Sequence, residues 1–126
     1  MYAPDARLPS GTFFGCPCAS RAIPGVVVVE SDFTTSRTVP AHEHATAFFD
    51  YVADGGYAEL IERRPRERER FSLGFHPAGE RHSSKWLGRA ARCLHIEIAA
   101  PLIERVGRLD RRRIARTMGR TDRSRP

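Results

Sequence analysis

No apolar run in this 126-residue chain approaches the roughly 18 residues that a membrane span requires; the longest, Val26 to Val29, is strand-sized. The N-terminus lacks a basic segment followed by an apolar stretch, so no secretory signal is expected and the expected compartment is the cytoplasm. Cysteine is scarce and odd in number, at three, which argues for reduced thiols over a disulfide framework. Cys16-Pro17-Cys18 is too tightly spaced for a zinc pair, whose cysteines usually stand two to four residues apart, and reads as chance placement in a reduced protein. Internal repeats are absent. What remains is a soluble globular composition, 40% hydrophobic and 29% charged, long enough for one domain with one core.

The formal net charge of +6 is unevenly placed. Residues 105–126 hold nine arginines against Asp110 and Asp122, which gives +7. Residues 1–104 hold twelve basic and thirteen acidic side chains, which gives −1. A near-neutral body is no platform for nucleic acid, and the Arg-rich tail reads as a solvated, frayed end.

Prolines 4, 9, 17 and 24, with scattered Gly and Ser, make residues 1–24 an irregular lead-in with one short strand at Thr12 to Phe14. Strands follow at Gly25 to Ser31, Thr34 to Val39, Ala45 to Ala53, Tyr57 to Arg64, Phe71 to Phe75 and Arg92 to Ala99. Asp54-Gly55-Gly56 is a turn, and Arg63 to Arg70, with charges alternating in sign, a solvated connection. In the last strand, the apolar set Leu94, Ile96 and Ile98 is expected to face the core, which would turn Cys93, His95 and Glu97 outward. Pro101 opens a helix with an apolar stripe of Leu102, Val106 and Leu109. Short strands punctuated by Gly and Pro, with a helix only at the end, indicate an all-β barrel or jelly roll over residues 25–104, followed by the Arg-rich helix and tail at 105–126.

Two clusters carry the chemistry. His42 and His44 are one residue apart and share a face if the segment is a strand, which would also turn Thr46, Phe48, Asp50 and Val52 inward. Pro77-Ala78-Gly79 is a turn that returns His82 from a distant part of the chain. Three converging imidazoles form either a metal site or a polar floor for a small ligand. Asp50, if it faces the lumen, needs a partner or a cationic ligand group. Trp86 is a candidate stacking residue, His76 reads as structural, and Arg81 as solvated.

His-x-His, a downstream Gly and Pro-x-Gly-x-x-His resemble the two motifs of the cupin superfamily. The wider frame, from Gly11-Thr12-Phe13-Phe14-Gly15 through Val39 to His44 and Phe75 to Ser83, resembles more narrowly the sensor half of AraC-type transcription regulators. The resemblance covers roughly residues 8–104. It implies a cupin-type jelly-roll barrel with a C-terminal helix, and an effector-binding, dimerising domain. The regulators' DNA-reading helix-turn-helix pair does not fit in 22 residues, so no sequence-specific DNA binding by this chain alone is expected. A homodimer, or a mixed dimer with a full-length regulator, is the expected assembly.

The family's metal ligands map onto His42, His44 and His82. Its carboxylate falls where this sequence has Phe48 and Phe49, with only Asp50 nearby; Phe71 and Trp86 also depart from the second motif. The implied ligand set is therefore His42, His44, Phe48, Asp50, His82 and Trp86 for a small organic effector. If His42, His44 and His82 hold one divalent ion (Fe, Mn, Ni or Zn) instead, the alternative is a small metal-dependent enzyme of dioxygenase or isomerase type.

Overall fold

The computed structural model describes residues 5–33, 38–85, 90–105 and 107–108. Two five-stranded sheets face each other. The first runs β1 (Ala6–Leu8), β4 (Thr38–His44), β9 (His82–Lys85), β6 (Tyr57–Ile61) and β7 (Arg64–Arg68) in spatial order. In the second the order is β2 (Cys16–Ile23), β3 (Val26–Phe33), β10 (Ala91–Ile98), β5 (Phe48–Asp54) and β8 (Leu73–His76). Pairing is antiparallel throughout, except that β1 lies parallel to β4. A short helix begins at residue 100. This is the expected all-β jelly roll with a C-terminal helix.

Strand alternation divides the interior into two zones. Phe33, Val39, Val52, Tyr57, Ala91 and Cys93 form an apolar cluster against which Phe14 packs. The other zone is polar. His42 and His44 project from β4, Asp50 from β5, Glu59 from β6, Arg68 from β7 and His76 from β8, all buried.

Three expectations from sequence are corrected. Residues 1–24 are not an irregular lead-in, because β1 and β2 lie within them; Thr12 to Phe14, expected as a strand, is loop. Proline hid β2: Pro17 is tolerated because β2 is an edge strand, exposed at every position, with a bulge beside it. The charged segment after Arg63 is not a loop either. Glu62 and Arg63, both at positive φ, make a tight turn into β7, and Arg68 points inward at its end. Third, β10 is turned over relative to expectation. Cys93, His95 and Glu97 are buried, while Leu94, Ile96 and Ile98 lie on the half-buried outer face beside Tyr51 and Phe49. Choosing the more apolar face as the inner one fails here because the lumen itself is polar.

Glu97 shows what the inner face of β10 does. Its carboxylate accepts hydrogen bonds from Ser10 Oγ at 2.6 Å and from the Gly11 backbone N–H at 2.9 Å. That clamp holds the loop which carries Phe13 and Phe14 into the barrel. Gly55 closes the opposite end at φ +74°, where a Cβ would meet the Ala90 carbonyl. The proposed stacking residue Trp86, Val106, Leu109 and the tail beyond lie outside the described residues.

Candidate metal centre

All five histidines of the chain are buried in the barrel. Strand β4 alternates, so His42 and His44 share the inner face, and β9 brings His82 opposite His42 in the pairing register. Their ring centroids lie 4.4 Å apart for His42 and His82, 5.0 Å for His42 and His44, and 5.5 Å for His44 and His82. One ligand nitrogen from each of the three lies within 4.8 Å of the others.

Backbone carbonyls fix two of the tautomers. His42 Nδ1 donates to the Pro40 carbonyl at 2.7 Å, and His82 Nδ1 donates to the Glu80 carbonyl at 3.2 Å. A carbonyl only accepts, so both rings present a bare Nε2 to the interior. His42 Nε2 and His44 Nε2 stand 3.2 Å apart. Two nitrogens bound to one zinc-like ion at about 2.0–2.1 Å would be separated by about 3.0–3.4 Å, so this spacing fits a shared ion. His44 Nδ1 is buried with no hydrogen-bond partner among the described residues.

Electrostatics keep the cluster neutral. Burial, reinforced by the neighbouring imidazoles, lowers His44 to about 2 and His82 to about 3. Burial also pushes His42 and His95 below the ordinary histidine value. Neutral imidazole is the form that ligates metal.

Aromatic rings wall the cluster. Phe48, the inward residue where the resemblance expects a carboxylate, packs on His76 at 4.8 Å and edge-on to His44 at 4.6 Å. Phe13 stacks on His95 at 4.1 Å and Phe14 lies 4.7 Å from His42. Beside this wall is a charged group. The Tyr57 hydroxyl donates to Asp50 Oδ2 at 2.5 Å, and Arg68 lies 3.4 Å from Glu59 and 3.7 Å from Asp50. Arg68 also donates to the Asp50 backbone carbonyl at 2.7 Å. The partner that Asp50 was expected to need is thus the Tyr57–Arg68 pair. Asp50 is absent from the ligand trio: among the described residues its Oδ1 has no hydrogen-bond partner and lies 3.7 Å from His95 Nδ1.

The structure therefore brings His42, His44, Phe48, Asp50 and His82 to one interior. Sequence reasoning missed Phe13, Tyr57, Glu59, Arg68, Glu80 and His95, and read His76 as structural. The signal available for His95 and Glu59 was a polar side chain on an otherwise strand-like segment. The space left between these groups is small. A cavity of about 40 Å³, lined by His42, His82, Asp50, Tyr57, Glu59 and His76 among others, has room for an ion or a water molecule and little more.

No protein-family model matches the chain, and no curated protein does. Solved structures do. The cupin domain of Schizosaccharomyces pombe Cnp3 aligns with a TM-score of 0.60 at 15% identity over 69% of this chain and 63% of that one. A Bacteroides fragilis cupin protein gives 0.59 at 13% identity, covering 71% and 81%. The DMSP lyase DddQ of Ruegeria pomeroyi gives 0.57 at 19% identity over 60% of this chain. The chain spans only 39% of that lyase. At these identities the likeness shows the fold: the barrel is a cupin jelly roll.

Proposed function

We propose that this chain is a sensor-type cupin domain, of the kind its motifs resemble in AraC-type regulators, whose ligand is a single divalent transition-metal ion. The observation that carries the reading is the trio of neutral, interior-facing imidazoles, two of which, His42 and His82, line a cavity of about 40 Å³. Drug-sized ligands usually occupy roughly 300–1,000 Å³, so the interior suits an ion far better than the organic effector expected from sequence. His42, His44 and His82 would hold the ion. The anchored Nδ1 atoms of His42 and His82 orient two of these rings, and the aromatic wall excludes water. Fe, Mn, Ni and Zn are all compatible with imidazole donors.

Dimerisation belongs to the same reading. The outer face of the second sheet exposes Ile23, Leu73 and Phe75 beside half-buried Leu94, Ile96 and Ile98. An apolar sheet face of this kind supports a homodimer, or a mixed dimer with a full-length regulator. The three free cysteines, two of them exposed, accord with a reducing, cytoplasmic setting. Among the described residues no helix is long and apolar enough to cross a membrane.

The enzyme reading draws on one observation, that the hydrogen-bonded Asp50–Tyr57 pair lines the same cavity as His42 and His82. A bound ion would supply Lewis acidity there, but substrate would need space that the cavity lacks.

The test is metal content per chain on untagged protein purified without chelator. About one equivalent, lost in His82→Ala, is expected together with a dimer in light scattering. Metal far below one equivalent would overturn the metal reading, and a monomer at micromolar concentration would overturn the dimeric sensor.

A further inference from the structure

We propose that the barrel contains a second metal position, formed by His76, Glu80 and His82, which shares His82 with the three-imidazole centre and draws its carboxylate from the second motif. This rests on the metal-binding reading above and goes beyond it in naming a different ligand set.

The ligand atoms of His76, Glu80 and His82, like those of the first trio, all lie within 4.8 Å of one another. His76 sits at the end of β8, the turn Pro77 to Gly79 reverses the chain, and β9 begins at His82. That turn folds Glu80 back onto His76, whose Nδ1 is 2.7 Å from Glu80 Oε1. The His76 and His82 rings are 4.5 Å apart. Beyond His76, Glu59 Oε2 approaches its Nε2 at 3.6 Å, so a cation here would lie close to two carboxylates.

The geometry also fixes occupancy. His82 donates its Nδ1–H to the Glu80 carbonyl and keeps one lone pair, at Nε2. One lone pair serves one ion, so the two positions are alternatives and the total stays at one equivalent. They differ in donors and in depth. The first is all-nitrogen and fully buried; the second includes an oxygen donor, from the partly exposed Glu80. Carboxylate suits harder ions and imidazole suits the later transition metals, so the two sets favour different cations.

Cobalt(II) titration of the metal-free full chain, followed by its visible absorption, tests this. Wild type is expected to bind one equivalent. His44→Ala breaks only the first set and should still bind one equivalent, about 10–100-fold more weakly and with an absorption band shifted by the oxygen donor. His44→Ala combined with Glu80→Gln should lose binding over the same range. Glu80→Gln keeps the backbone carbonyl that orients His82, so alone it should leave wild-type stoichiometry intact. His42→Ala provides a second way to break the first set should His44→Ala fail to fold. Equal cobalt affinity in His44→Ala with and without Glu80→Gln would overturn the second position while leaving the first standing. So would no binding to folded His44→Ala and His42→Ala, or two equivalents on wild type. A wild-type chain that takes up no cobalt would end both readings.

Discussion

The metal-free barrel is expected to lose stability steeply as pH falls below about 6.5. His44 and His82 are held neutral in the folded chain to about 2 and about 3, chiefly by burial. In the unfolded chain both take up protons near pH 6.5. Between those limits the unfolded state binds more protons than the folded one, so stability is fully present above pH 6.5 and drains away below it. Each imidazole approaches a slope of about 1.4 kcal/mol per pH unit, and the pair about 3. His42 and His95 act in the same direction. Glu59, which burial raises, acts in the opposite one, since it gains its proton more readily when folded. A domain's whole stability is about 5–15 kcal/mol, so two pH units of acidification are a large fraction of it. Urea midpoints at pH 7, 6 and 5 check this; a midpoint independent of pH would show that the imidazoles titrate as freely folded as unfolded.

Arg68→Leu is expected to be the most damaging single substitution in the polar zone. The guanidinium, about 1% exposed, faces Glu59 and Asp50, donates to the Asp50 carbonyl and to Ser72 Oγ, and lies 5.8 Å from the Tyr57 ring centroid. Without it, two buried carboxylates lose their main cation. Breaking a buried pair in this way costs about 3–5 kcal/mol, because the Tyr57 hydroxyl on Asp50 and the half-exposed Arg66, 3.5 Å from Glu59, replace little of the lost attraction. Removing both signs together should behave differently. The triple variant Asp50→Asn, Glu59→Gln, Arg68→Met is expected to recover most of the loss, since it leaves no orphan charge. Chemical denaturation of the two variants decides the matter. A loss below about 1 kcal/mol in Arg68→Leu would mean that water already screens the group.

The pattern of success in reading this chain follows from where its polarity lies. His42, His44 and His82 were legible because a dipeptide period and a Pro-x-Gly turn are local signals that survive without tertiary information. Phe48 and Asp50 were placed inward by continuing that alternation, although residues 45–47 interrupt the expected strand Ala45 to Ala53 and carry the chain from the first sheet to the second. The interior partners of Asp50 were not legible, since Tyr57 and Arg68 reach it only through the β6–β7 hairpin, whose charged sequence reads as solvent-facing. His95 illustrates the general difficulty. Burial normally selects the apolar face of a strand, but β10 crosses a lumen already furnished with imidazoles and carboxylates. There Cys93, His95 and Glu97 are the matching face, and Leu94, Ile96 and Ile98 cover the outside. Strand β2 was missed for a different reason: proline weakens a strand signal, yet an edge position forgives it.

Because every histidine of the chain faces the interior, imidazole chemistry in this protein forms a single closed compartment. A histidine-acylating reagent, or a nickel resin offered to the untagged chain, meets no imidazole on the intact surface. Labelling and retention therefore report breathing of the barrel, with the five rings acting as an internal gauge of how often the two sheets part.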